Sequence, residues 1–234
     1  MIKNILLDLD DTIFDFHKAE RIALKKTFAS LGIEANDAAL DRYSEINEWH
    51  WKQLELKKMT RNEVLFKRFE VFLGEHGIDT EPWRVQHLYE HNLGIGHYYM
   101  DGAEETLKKL YGRYRLYMVS NGTACVQYSR IESACIEKYF EKLFISQEVG
   151  FEKPDVRFFE AVFESIPDFK REETVIIGDS LSSDIKGGIN AGIETVWYNA
   201  RNKVNKTLDE PEEKRIVPDH EIHSWDEIDV IIQQ

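Results

Sequence analysis

Five short apolar runs, each about four residues long and separated by helical patterns, constrain the fold of this chain more than any other feature. They are Ile5-Leu6-Leu7, Leu116-Tyr117-Met118-Val119, Leu143-Phe144-Ile145, Thr174-Val175-Ile176-Ile177 and Thr195-Val196-Trp197. All are rich in β-branched, aromatic or aliphatic side chains and flanked by turn formers, the mark of buried strands. Helical periodicity fills the gaps near 103–111, 123–139, 155–165 and 183–191. Strand alternating with helix predicts a parallel sheet covered on both faces. The expected class is α/β, an open parallel Rossmann-like sheet.

The stretch 15–98 breaks the alternation. It holds no strand run, and its apolar residues recur at helical spacing. Ile22, Ala23 and Leu31 mark one helix, and Tyr43, Ile46 and Leu54 a second. Thr60-Arg61-Asn62-Glu63 reads as a capping box opening a third, with Val64, Leu65, Phe69, Phe72 and Leu73 turned inward. Gly77 would end it and Pro82 would open a fourth. The chain has 234 residues, enough for a core with an insertion. The expected organisation is therefore a core of 1–14 and 99–234 with an all-helical insertion at 15–98. The polar 199–216 segment, containing Pro211, reads as an exposed loop before a last short strand and helix.

Forty-three acidic against thirty basic residues leave a net charge of −13. Such a surface repels nucleic-acid polymers and anionic membranes, so neither is expected as a partner. No apolar run reaches the roughly 18 residues of a membrane span. The N-terminus enters a strand without a signal-peptide pattern. With two cysteines, Cys125 and Cys135, about 15 Å apart if they share a helix, reduced thiols in the cytoplasm are the expectation.

In open α/β sheets, ligands bind beyond the carboxyl ends of the strands. Four polar islands fall there: Asp8-Leu9-Asp10-Asp11-Thr12, Ser120-Asn121-Gly122-Thr123, Lys153-Pro154-Asp155, and Gly178-Asp179-Ser180 with Asp184 following. Charge at the tip of a buried strand is costly without a partner, so the first island implies a cation or a reaction. If the strand continued through them, Asp8 and Asp10 would face the same way, roughly 6–7 Å apart. Taken singly, Asp8-x-Asp10 also reads as a solvated loop, Ser120 as a helix N-cap, and Asp184 as a carboxylate at a helix start. Gly187 and Gly188 suggest close backbone packing, and Gly192 a helix C-cap.

In order and composition these islands resemble the motifs of the haloacid dehalogenase (HAD) superfamily, and the resemblance spans essentially the whole core. Asp8-Leu9-Asp10-Asp11-Thr12, Ser120, Lys153 and Gly178-Asp179…Asp184 match, and the helical insertion is similar to that superfamily's type-one cap. The run Gly178 to Gly192 is close to the pattern of YjjG/YfnB-type 5′-nucleotidases; Leu54-Glu55 and Arg68-Phe69 in the cap are similar but less specific. The resemblance implies a magnesium-dependent phosphomonoesterase acting through an aspartyl-phosphate, with a nucleoside 5′-monophosphate as its small-molecule substrate. Asp8 would be the nucleophile and Asp10 the proton shuttle, with Lys153 neutralising both Asp8 and the phosphoryl group. Thr12, Ser120, Asn121 and Gly122 would bind the phosphate. Asp8, Asp10 (through its carbonyl), Asp179 and Asp184 would serve the metal, Asp184 directly or through water. Asp11 is expected to point away from the site.

The alternatives are a phosphosugar phosphatase, a phosphosugar mutase with similar core and cap, or a catalytically idle regulatory protein. Asp10 argues against halide displacement and phosphonate cleavage, and the intact acidic set argues against an idle site. Substrate choice is expected to lie in the cap, where Trp49, His50 and Trp51 are aromatic candidates, with Phe14, Phe16 and His17 in the hinge that leads into it; none has an assigned role.

Overall fold

The computed structural model describes residues 1–232. Its contacts divide the chain into two compact units: Met1–Asp15, Tyr99–Ala124 and Cys135 onward form one, and Phe16–Tyr98 with Cys125–Ala134 form the other.

The first unit holds a six-stranded sheet. Its strands are β1 (Asn4–Leu7), β2 (Arg115–Ser120), β3 (Lys142–Ile145), β4 (Thr174–Gly178), β5 (Glu194–Tyr198) and β6 (His220–Ile222). They lie in the order β3-β2-β1-β4-β5-β6, every pair parallel. The five apolar runs are five of these strands, and β1 is buried at every position. From β1 the chain builds outward to β2 and β3, then returns to place β4 on the other side of β1. That reversal makes the carboxyl ends of β1 and β4 a switch point, the usual place for a ligand crevice. Glycine lets a helix lie close on the sheet: a Cβ at Gly188 would come within 2.6 Å of Ile176 and Thr195 side-chain carbons, and one at Gly187 within 2.5 Å of the Phe159 ring.

Three local expectations change, and a fourth, the helix near 155–165, holds with its ends now set. β1 ends at Leu7, and the acidic tip is a turn in which Ile13 and Phe14 both donate to the Leu9 carbonyl. Asp11 sits there at φ 57, in the left-handed region that Asp tolerates better than most residues. The facing of Asp8 and Asp10 is thus set by a turn, not by strand alternation. The helix expected over 123–139 runs from Ala124 to Ala134 and stops at Cys135, whose φ is 55; a 3₁₀ turn, Glu137–Tyr139, follows. Both cysteines are free and exposed. The helix expected from 155 spans Val156–Glu164 with Asp155 as its N-cap, and Pro154 precedes it through a cis bond to Lys153. The 183–191 pattern divides into a wide π turn, Leu181–Ile185, and a short helix, Lys186–Ala191, closed by Gly192 at φ 69.

The second unit is all helix: Phe16–Ser30, Asp37–Glu55, Arg61–Glu75, Pro82–Gly94 and Ala124–Ala134. Thr60 and Glu63 form the reciprocal capping box, Pro82 opens its helix, and Gly77 turns the chain at φ 63. Phe28 stacks on Phe72 with centroids 5.1 Å apart, and Tyr43, Phe69 and Tyr89 complete an aromatic centre. The Ala124–Ala134 helix joins this unit for a packing reason. Val126 is buried in the same cluster, Arg130 donates to the Gly96 carbonyl, and Ser133 bonds His97. Trp49 is exposed, His50 is buried, and Trp51 lies part-buried beneath the Arg61 guanidinium. No helix among the described residues is long and apolar enough to cross a membrane.

Candidate active site

The site starts from β1. The Asp8 amide donates to Ile177 (3.0 Å), extending the ladder one residue beyond the strand and delivering the carboxylate to the switch point. One Asp8 oxygen accepts from Lys153 Nζ at 2.7 Å and the other from the Thr12 hydroxyl at 3.2 Å. Thr12 Oγ1 in turn accepts from the Asp179 amide at 3.1 Å. A single buried hydroxyl therefore ties the β1 tip to the β4 tip. Phosphate binding, the role the family resemblance implies for Thr12, would compete with both of these bonds.

Lys153 is 1% exposed and spends all three ammonium hydrogens on protein, donating to Asp8, to the Val119 carbonyl (2.7 Å) and to Asp184 (2.6 Å). Its backbone is held as firmly. The Asn121 side chain donates to the Lys153 carbonyl and accepts from the Lys153 amide, both at 2.9 Å. Asn121, expected on the phosphate, is by its side chain a clamp on the lysine. Ser120 ends β2 with its Oγ accepting from the Gly122 amide at 3.0 Å, which closes the loop around that hydroxyl.

Asp184 lies in the π turn, one oxygen on Lys153 and the other on the Ser180 amide at 3.1 Å. A Cβ at Gly178 would fall 2.3 Å from Asp184 Cγ, so the glycine before Asp179 makes the room that Asp184 fills. Asp8, Asp179 and Asp184 each present an oxygen within 4.8 Å of the others. Such an all-oxygen, carboxylate-rich donor set fits a hard divalent cation such as magnesium. Asp184 reaches this set with one oxygen on Lys153 and the other on the Ser180 amide, so the lysine links it to Asp8. Asp10 is half-buried beside Asp8.

Burial pushes the Asp8 carboxyl up to about 7 against the pull of Lys153, with Asp184 and Asp10 adding repulsion. Burial likewise raises Asp179 to about 7, against Lys203, with Asp11 and Asp8 adding to it. Asp184 is raised by burial and opposed by Lys153. Burial alone would depress the Lys153 ammonium, but Asp184 and Asp8 outweigh it and hold the lysine above its usual range. The cluster is electrostatically short of positive charge.

Two further cations, which no motif singles out, stand at this edge. Lys203 Nζ lies 2.9 Å from Asp179, and Arg201 pairs with Asp11 (3.0 Å) and Asp15 (2.9 Å). Asp11 therefore faces a cation of its own. Both follow β5, and the signal that points to them is their place beyond the carboxyl end of that strand.

Residues 5–198 match the model of the haloacid dehalogenase-like hydrolases. The chain belongs to that family. Among relatives of this hydrolase, the HAD-hydrolase YfnB of Bacillus subtilis is 38% identical over 97% of the chain and 93% of its own length. The pyrimidine 5′-nucleotidase PynA of Streptococcus pneumoniae is 34% identical over the same shares. A crystal structure of YfnB bound to magnesium superposes with a TM-score of 0.92 at 37% identity, covering 100% of this chain and 99% of that one.

Proposed function

We propose that this hydrolase is a magnesium-dependent phosphomonoesterase of the cytoplasm that acts on nucleoside 5′-monophosphates through an aspartyl-phosphate on Asp8. The observation that carries the reading is the buried Lys153 bridging Asp8 and Asp184 beside Asp179 at the switch point. The nucleotidase relative supports the substrate class.

Asp8 attacks phosphorus, forming an Asp8–O–P bond as the ester P–O bond breaks. Asp10 hands its proton to the departing alkoxide. Water then attacks the same phosphorus, its proton passes to Asp10, and Asp8 leaves as carboxylate with inorganic phosphate released. Lys153 and Thr12 each hold one Asp8 oxygen, which fixes the plane of the carboxylate for attack, and Lys153 keeps charge balanced while the carboxylate is esterified. Asp8 and Asp179, with the Asp10 carbonyl, would hold magnesium, whose chemistry is charge neutralisation of the phosphoryl oxygens. Selection among phosphate esters is assigned to the helical unit.

Phosphate release from a small aryl phosphate and from a panel of nucleotides and sugar phosphates tests the reading. Asp8→Asn is expected to lower turnover by roughly 10³-fold or more with the fold retained by circular dichroism. Chelation should stop release and magnesium restore it. Substantial turnover by Asp8→Asn, or indifference to chelator, would overturn the mechanism. Preference for sugar phosphates, or transfer between sugar hydroxyls without net release, would overturn the substrate class.

A further inference from the structure

Lys153 and Lys203 both touch the acidic cluster, and they are built differently. Lys153 is 1% exposed with three fixed partners, whereas the Lys203 side chain is 47% exposed and lies against the Asp179 carboxylate. The backbone beneath Lys203 is nevertheless rigidly placed. Asn199, 3% exposed at the end of β5, accepts from the Lys203 amide at 2.7 Å and donates to its carbonyl at 2.9 Å. Within that loop Asn202 takes a left-handed φ of 52, and its amide returns to the Asn199 carbonyl. Asn199 is itself held by β6 through Ile222 and Glu221, and by His223 just beyond that strand. A flexible four-carbon stem thus springs from a fixed root, with its ammonium on the one carboxylate of the cluster that Lys153 does not touch.

We propose that Lys203 is a tethered counterion, an intramolecular cation that occupies Asp179 when no metal is bound and that a divalent ion must displace. This rests on the magnesium reading above. The fixed root gives the ammonium a high effective concentration at Asp179, and its exposure lets it swing away at the cost of one charge-assisted bond. Two cations competing for one carboxylate are linked: whatever the lysine contributes to the metal-free site is subtracted from magnesium affinity. Lys203 therefore keeps Asp8, Asp11 and Asp179 assembled against their mutual repulsion and holds magnesium affinity below what the carboxylates alone would give. It is a positioning residue for Asp179.

Calorimetric titration of magnesium into the full chain, with melting curves in chelator and in magnesium, tests this. Lys203→Met is expected to bind magnesium roughly three- to tenfold more tightly, the equivalent of one half-exposed ion pair. Its melting temperature should also rise more on adding magnesium. Lys203→Arg, which keeps the charge, should bind no more tightly than the unaltered chain. Equal or weaker magnesium binding by Lys203→Met would overturn the competition while leaving the magnesium reading intact. Absence of binding heat and of any melting shift in the unaltered chain would overturn the magnesium reading and the competition with it.

Discussion

Single residues at this site are matched to one another through side-chain contacts. Lys153 sits between two carboxylates, Thr12 between two strand tips, and Asn121 on both backbone polar groups of Lys153. An ammonium so enclosed has nowhere to relax if its backbone shifts, which makes Asn121 a determinant of where the charge stands. Asn121→Ala is expected to lower turnover on an aryl phosphate about tenfold or more, with a loss of about 1–2 kcal/mol for two part-buried bonds. Steady-state kinetics beside a melting curve checks this; full turnover would show that Lys153 keeps its place unaided. The acidic residues were legible because carboxylates beyond apolar strands are costly without a purpose. Asn121 and Lys203 were harder to read. Side-chain amides and surface lysines are common everywhere, and only the partner across 32 or 24 residues gives these two a meaning.

At the scale of elements, the strands were legible almost residue for residue, since short β-branched runs have one way to be buried on both faces. Boundaries that depend on a turn were not: the end of β1, the break at Cys135 and the π turn before Lys186 are all decided by backbone bonds made after the chain folds. The helix pair Phe16–Ser30 and Asp37–Glu55 shows a polar contact of the same kind. Glu20 is buried between them, accepting from Ser44 and from Asn47 (2.7 Å), and Asn47 accepts in turn from Arg68 (2.8 Å). Burial raises the Glu20 carboxyl above the ordinary glutamate value despite these donors. A raised folded-state value means that its stabilising share is complete below the unfolded glutamate value near 4.5 and is lost as pH rises through the folded one. Glu20→Gln, which cannot ionise, should therefore melt above the unaltered chain at pH 8, by about 2–4 °C for about 1 kcal/mol, with the gap closing near pH 4. An unchanged or lower melting temperature at pH 8 would show that the carboxylate's hydrogen bonds outweigh its burial.

Across the whole molecule, the division into units departs from a simple insertion. Residues 16–98 are joined by a distant segment, 125–134, through Val126, Arg130 and Ser133. A chimera replacing 16–98 with the matching stretch of a family member would leave that helix against foreign partners. Replacing 125–134 as well should raise the chimera's melting temperature by several degrees. The two-segment chimera is also expected to take on the donor's preference among phosphate esters while still hydrolysing a small aryl phosphate. Equal melting of the two chimeras would place the 125–134 helix outside the unit energetically, and an unmoved preference would place selectivity in the α/β unit.

What the sequence by itself determined was local. Apolar run length set strand and helix, capping residues set helix starts, and the identity of the carboxylates and of Lys153 announced phosphate-type chemistry at a sheet edge. Strands, helices and caps follow from burial and hydrogen bonding among near neighbours in the chain, which periodicity records directly, whereas the phosphate chemistry is what the resemblance of the motifs to a known family implies. What only the tertiary structure decided was which charge meets which: Lys153 on Asp184, Lys203 on Asp179, Arg201 on Asp11, and the 125–134 helix among the others. A long side chain reaches several ångströms from its backbone, so its partner is fixed by where distant loops come together, and no spacing along the chain encodes that.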